Sequence, residues 1–190
     1  GRYARHMAVS GWGEQGQEQL ADSTAVVAGV GGLGCAAAVY LVEAGVGKIV
    51  LCDGDVVERS NLNRQFLYTT EDLTRPKAPL AAERLSRMNP YVSVEPIFAE
   101  IDAASAAGLV AGADVVLDCL DNPETRFILN RAAIAASVPM VYAAVTDYIG
   151  YLSFLRPPDT ACLECFVDST PPTAEPAVPG CTSGALGALE

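Results

Sequence analysis

The chain has 190 residues, 51% hydrophobic and 18% charged, which suits one domain, or a domain with a short appendage, and excludes a disordered or low-complexity chain. Lys and Arg number 12 against 23 Asp and Glu, a formal charge of −11, so a nucleic-acid backbone is not expected as a partner. The apolar runs are too short to span a bilayer, and the N-terminal residues lack the charged, apolar and cleavage regions of a secretory leader, so no membrane partner is expected either.

In chain order, Val26–Val30 is an apolar run that closes on Gly29-Val30-Gly31-Gly32-Leu33-Gly34. A small-residue helical pattern follows from about Cys35 to Ala44, ended by Gly45 and Gly47. Lys48–Cys52 reads as a second buried strand ending at Asp53. Strand, glycine turn, helix and strand make one βαβ unit. A loop with Asn61 to Gln65 leads to a predicted helix from Lys77 to about Met88, stopped by Asn89-Pro90. Val92–Phe98 is a third strand, Ala103–Val110 a short helix and Asp114–Leu117 a short buried strand. A helix from about Glu124 to Ala136 and a strand over Pro139–Ala143 complete the alternation. Such alternation predicts an α/β fold with a Rossmann-like, doubly wound, mostly parallel sheet. Residues 1–156 form the expected nucleotide-binding region. Six prolines between Arg156 and Gly180 mark 157–190 as a Pro-rich loop region of the same domain, with the start of a helix at Gly184.

Of the six cysteines, Cys35, Cys52 and Cys119 fall inside apolar patterns, which points to buried thiols in a reducing, cytoplasmic setting rather than a disulfide framework. The one histidine, His6, reads as a surface residue, and no convincing Ser/His/Asp or Cys/His nucleophile system assembles around it. The glycines at 29, 31 and 34, between a strand and a helix, let backbone N–H groups approach a phosphate at a helix N-terminus. Asp53, at the end of the next strand, is placed to accept hydrogen bonds from ribose hydroxyls. NAD is the default owner of that motif. The cations of Arg2-Tyr3-Ala4-Arg5, Arg64 and Arg75-Pro76-Lys77 suit a triphosphate better, although each alone reads as a solvated charge.

The ordered set of Arg2-Tyr3-x-Arg5, the glycine loop, Asp53-Gly54-Asp55, Ser60-Asn61-Leu62-Asn63-Arg64-Gln65, Pro76-Lys77, Asp121-Asn122, Cys162-x-x-Cys165 and Cys181 resembles the ThiF/MoeB/HesA family, relatives of the ubiquitin-activating enzymes. The resemblance runs from about Arg2 to Gly187. It implies an adenylyltransferase that uses ATP and magnesium to adenylate the C-terminal glycine of a small ubiquitin-fold sulfur-carrier protein with a Gly-Gly tail. Gly29, Gly31, Gly32 and Gly34 would cradle the nucleotide, Asp53 would hold the ribose, and Asp55 and Gln65 would also belong to the nucleotide site. Asn61, Arg64 and Lys77 would meet the phosphates, and Asp121 would hold magnesium. Arg5 resembles an arginine supplied across a homodimer interface, and Cys181, read as lying in a Pro/Gly loop, resembles a cysteine that some relatives use to take the activated tail or relay sulfur.

Three departures accompany the resemblance. His6 stands where many relatives have Gln. The family commonly binds zinc with two Cys-x-x-Cys pairs, whereas Cys162 and Cys165 supply only half of a tetrahedral site, so either the other pair lies beyond Glu190 in a longer chain, which is the favoured reading, or this member lacks zinc. In Cys181-Thr182-Ser183-Gly184-Ala185, the family's Ala and Gly are exchanged. On the residues alone, two other classes remain open: an NAD-dependent oxidoreductase, disfavoured because no evident proton donor accompanies the glycine loop, and a non-catalytic member that binds a partner.

Overall fold

The computed structural model describes residues 1–167 and 179–190. Two N-terminal helices, α1 (Ala4–Met7) and α2 (Gly13–Asp22), precede strand β1 (Thr24–Ala28), helix α3 (Gly32–Ala44) and strand β2 (Lys48–Cys52). Then come α4 (Lys77–Met88), β3 (Ser93–Ile97), α5 (Ala106–Val110), β4 (Val115–Asp118), α6 (Pro123–Ala136), β5 (Met140–Thr146), β6 (Ile149–Leu155) and α7 (Gly180–Leu189). The six strands form one sheet in the order β3-β2-β1-β4-β5-β6, parallel except for the antiparallel β5–β6 pair. The doubly wound α/β architecture read from the alternation of elements is therefore present.

Alternate residues of the inner strands β1, β2, β4 and β5 feed two apolar layers, as the pleat requires. Val27, Ile49, Leu51 and Leu117 pack on the α3–α4 side with Leu33, Val42, Ala81 and Leu85. Val26, Val50, Val116 and Met140 face α5 and α6, against Val110, Phe127, Leu129 and Ala133. Each fully buried Leu contributes about 1.5–3 kcal/mol relative to exposure. Helix α6 starts sharply because the Asn122 side chain accepts the Thr125 N–H and Pro123 occupies the first turn.

Several boundaries differ from the sequence expectation. Strand β1 begins at Thr24 and ends at Ala28, since Gly29 turns away with φ +88°. Val30 looks like strand by its side chain, but its carbonyl accepts a hydrogen bond from the Tyr68 hydroxyl at 2.9 Å. Helix α3 starts at Gly32 rather than Cys35, so Gly34 lies inside its first turn. Cys181 is helical: α7 begins at Gly180, and the Pro179-Gly180 pair read as loop is a helix start. Helices α1 and α2 and edge strand β6 were not anticipated from the sequence. Of the Pro-rich region, Pro171, Pro172 and Pro176 lie outside the described residues.

Candidate active site

The strand order reverses between β1 and β4, and in open α/β sheets ligands bind in the crevice beyond the carboxyl ends of the strands at that switch point. Two loops meet there. A Cβ on Gly29 would lie 2.8 Å from the Cys119 carbonyl oxygen, so only glycine lets the β1–α3 turn touch the β4–α6 loop. A Cβ on Gly34 would run into the Gly29 carbonyl, which keeps the start of α3 tight against the turn. Gly31 and Gly32 complete the turn, and the free N–H groups of the helix start with them.

Asp53 closes this turn from β2. Its Oδ2 accepts the Val30 N–H at 2.7 Å and its Oδ1 the Asp55 N–H at 2.8 Å. Burial pushes the Asp53 carboxyl above its ordinary range, opposed by the Lys77 charge and by those two backbone bonds. Lys77 is the first residue of α4, buried along its stem, and its Nζ donates to Asp55 Oδ2 at 2.6 Å.

The loop between β2 and α4 carries the remaining nucleotide candidates. Asn61 is buried, its Oδ1 accepting the Glu58 N–H at 3.0 Å. Arg64 is half-buried and donates from Nη1 to the Ser60 carbonyl and to Asn63 Oδ1. Gln65 is buried, its Nε2 is the nearest atom to a Cβ on Gly31, and its Oε1 has no hydrogen-bond partner. A buried polar atom left open beside a glycine turn fits a site that a bound ligand or its water completes. A cavity of about 250 Å³ opens where β2 and β3 end, lined mostly by apolar groups of Cys52, Ile97, Ala99, Ile101 and Leu109, together with Glu100 and Ser105. Its apolar walls and size suit a flat heteroaromatic base.

Asp121 lies exposed on the β4–α6 loop and has no hydrogen-bond or ion-pair partner among the described residues. One free carboxylate is the donor set that magnesium takes when phosphates and waters supply the rest. Among the described residues no group of three His, Cys, Asp or Glu side chains gathers as an all-protein metal cage. Cys162 and Cys165 stand 3.4 Å apart at Sγ on a 3₁₀ turn, and Asn130 Oδ1 accepts the Leu163 N–H between them. Cys181 is exposed on the first turn of α7. That turn abuts the site: a Cβ on Gly180 would run into the Asn63 carbonyl, and a Cβ on Gly32 would lie 2.8 Å from Ser183 Oγ. Cys35 and Cys52 are buried thiols pushed up to about 12 and about 11 by burial, so neither supplies a thiolate.

Arg5 is not part of this cluster. Tyr3 packs on Gly45 and its hydroxyl accepts a hydrogen bond from Asn89 at 2.7 Å, which anchors α1 at the far end of α3 from the glycine turn. The 13 residues of α3 separate the two ends by about 20 Å. Asp118 and Arg126 were not singled out by the sequence reading. Asp118 is buried at the end of β4, and Arg126 Nη1 reaches its Oδ2 at 3.3 Å from α6. The available signal was one arginine opening the apolar stretch Arg126-Phe127-Ile128-Leu129.

The ThiF family model matches residues 3–189. The chain belongs to the ThiF family. Among ThiF-family relatives, the SAMP-activating enzyme E1 of Haloferax volcanii is 43% identical over 190 residues, covering 99% of this chain and 69% of the relative. The sulfur carrier protein ThiS adenylyltransferase of Escherichia coli is 40% identical over 187 residues, 98% of this chain and 73% of its own length. The fold of E. coli MccB crystallised with ATP superposes with a TM-score of 0.82 at 27% identity, over 91% of this chain and 54% of the MccB chain. With MccA-N7isoASN, MccB superposes at a TM-score of 0.86 over the whole of this chain but 62% of its own, so MccB carries a large segment that this chain does not match.

Proposed function

We propose that this ThiF-family chain is an adenylyltransferase that joins AMP from ATP to the C-terminal glycine carboxylate of a small ubiquitin-fold sulfur-carrier protein with a Gly-Gly tail. The observation that carries the reading is the meeting of two loops at the switch point: the glycine turn with its Asp53 clasp on one side, the Asp121 loop on the other. The adenylyltransferase names of the E. coli and Thermus thermophilus relatives support the same reading.

The base would enter the cavity at the ends of β2 and β3, and the ribose would meet Asp53. The glycine turn and the start of α3 would face the phosphates with N–H groups. Asn61, Arg64, Gln65 and Lys77 would offset charge that builds on the α-phosphorus as the carboxylate oxygen attacks. The α–β phosphoanhydride bond breaks and pyrophosphate leaves. The nucleophile is already ionised, so no general base is required; catalysis is positioning and electrostatics. Asp121 would hold magnesium, which supplies charge neutralisation to the leaving pyrophosphate.

Arg5 is proposed to serve the site of a second subunit, which its anchorage at the far end of α3 supports. Cys181 is proposed to receive the activated tail: the thiol attacks the acyl-adenylate, a thioester forms, AMP leaves and the thiol proton passes to solvent. Cys162 and Cys165 are proposed as half of a zinc site, and the six free cysteines support a reducing, cytoplasmic setting.

ATP–pyrophosphate exchange tests the reading. Exchange is expected to need magnesium and a Gly-Gly-tailed carrier, and to vanish in Asp121→Ala with the fold intact. Tight NAD binding without any response to ATP overturns it. So does stoichiometric carrier binding with no exchange under any nucleotide condition.

A further inference from the structure

Asp121 has an exposed side chain with no partner among the described residues, so the direction of its carboxylate is inherited from the backbone on either side. That backbone is held by one buried arginine. Arg126 is the fourth residue of α6, with 8% of its side chain exposed. Its Nη2 donates to the Leu120 carbonyl, and its Nη1 donates to the Ala143 carbonyl at 2.8 Å and reaches Asp118 Oδ2 at 3.3 Å. The guanidinium lies over the Tyr142 ring, 4.9 Å from its centroid. Asp118, held by the same guanidinium, accepts the Leu120 N–H on its other oxygen at 3.2 Å.

Both backbone groups of Leu120, the residue before Asp121, are therefore tied to a single ion pair. On the other side, Asn122 Oδ1 accepts the Thr125 N–H at 2.9 Å and the Asn122 carbonyl accepts the Arg126 N–H at 3.3 Å. A buried ion pair is poor evidence of stabilisation, because its desolvation cost offsets much of the attraction. What singles out Arg126 is where its donors go: to main-chain carbonyls of a loop and of β5, as well as to a carboxylate. A planar fork suits that task and an ammonium does not.

We propose that Arg126 is the positioning residue for Asp121, clamping the β4–α6 loop so that the carboxylate stands ready for the metal that accompanies the nucleotide. The assignment of a metal to Asp121 rests on the adenylation reading; the clamp itself does not. Arg126→Lys keeps the charge and loses the fork. Tyr142→Leu keeps the arginine and removes the ring beneath it, and serves if the first variant does not fold.

Two measurements read the proposal. Amide hydrogen exchange at Leu120, whose N–H is bonded to Asp118, should quicken about tenfold in either variant while β1 and β2 keep their protection; unchanged protection there overturns the clamp. The free magnesium giving half-maximal pyrophosphate exchange should rise by about tenfold, the scale expected for groups that orient metal ligands. A uniform loss at every magnesium level overturns the positioning role. If wild-type protein shows no magnesium-dependent exchange, the adenylation reading fails, and loop protection alone then decides the clamp.

Discussion

The Lys77 ammonium donates to the Asp55 carboxylate at 2.6 Å, and the two ends of this bond have different surroundings: the lysine side chain is 6% exposed, the aspartate 63%. The stem is packed and the charge is delivered to the edge of the crevice, where it also opposes the effect of burial on Asp53. Lys77→Met preserves most of the volume and removes the charge. It is expected to lower kcat/KM for pyrophosphate exchange by about 10²-fold, in the range for loss of one preorganised donor. Lys77→Arg should not restore it, because a planar fork does not fit a packed channel shaped for an ammonium. An arginine variant with more than about a tenth of wild-type activity would contradict this reading.

Arg5 sits on α1, and Tyr3 ties α1 to Gly45 and Asn89 at the end of α3 remote from Gly29. An arginine so anchored serves its own crevice only if the N-terminal helices detach. In a two-fold dimer it can serve the partner. Arg5→Ala and Asp121→Ala proteins should each be inactive. Mixed and subunit-exchanged, they should regain exchange activity, up to one complete site per mixed dimer. No recovery in a mixture shown to contain mixed dimers would place the function of Arg5 in its own subunit or remove it.

Much of this architecture is legible in the sequence because its boundaries are chemical. Lys48–Cys52 and Lys77–Met88 coincide with β2 and α4: Gly47 and Asp53 bracket the strand, and Pro76 and Asn89-Pro90 bracket the helix. The end of β1 is misread because Val30 is apolar yet sits past a left-handed glycine, where composition does not register the change of direction. Cys181 is misread because Pro and Gly punctuate loops and helix starts alike. Helix α2 is rich in Gly, Gln and Glu and buries only Gln17, so its pattern has no apolar stripe to find. Arg126 escapes for a different reason. A helix-borne arginine reads as a solvated charge until the fold brings Leu120 and Ala143 carbonyls to its fork.

Gly29→Ala tests the meeting of the two loops. At φ +88°, with the Cys119 carbonyl 2.8 Å from the new methyl group, the substitution meets both backbone strain and a main-chain obstacle. A loss of about 1–3 kcal/mol in unfolding free energy is expected, together with a fall in pyrophosphate exchange. Gly108→Ala is the control, since Gly108 lies within α5 and a Cβ there meets nothing within 4 Å. That change should be neutral or stabilising by up to about 1 kcal/mol. Urea denaturation of both variants checks the pair, and equal effects at the two positions would refute the steric account.

Asp118 makes stability depend on pH in a direction opposite to most acidic groups. Burial pushes its carboxyl up to about 6, against the pull of Arg126 and the Leu120 N–H, whereas in the unfolded chain it ionises near 3.9. Between those values the folded protein keeps a proton that the unfolded chain releases. The stabilisation this group gives is therefore complete below about pH 4 and lost as pH rises through about 6. Glu190, beside Cys119, is pushed up to about 8 by burial, with the Asp118 charge adding to the rise, and acts in the same sense over a higher window. An Asp118→Asn variant cannot ionise at this position. Its stability relative to wild type should climb between pH 4 and pH 7, by an amount on the order of 2–3 kcal/mol. Urea unfolding at unit pH intervals reads the difference. A constant offset across the series would mean that Asp118 ionises in the folded protein as it does in the unfolded chain.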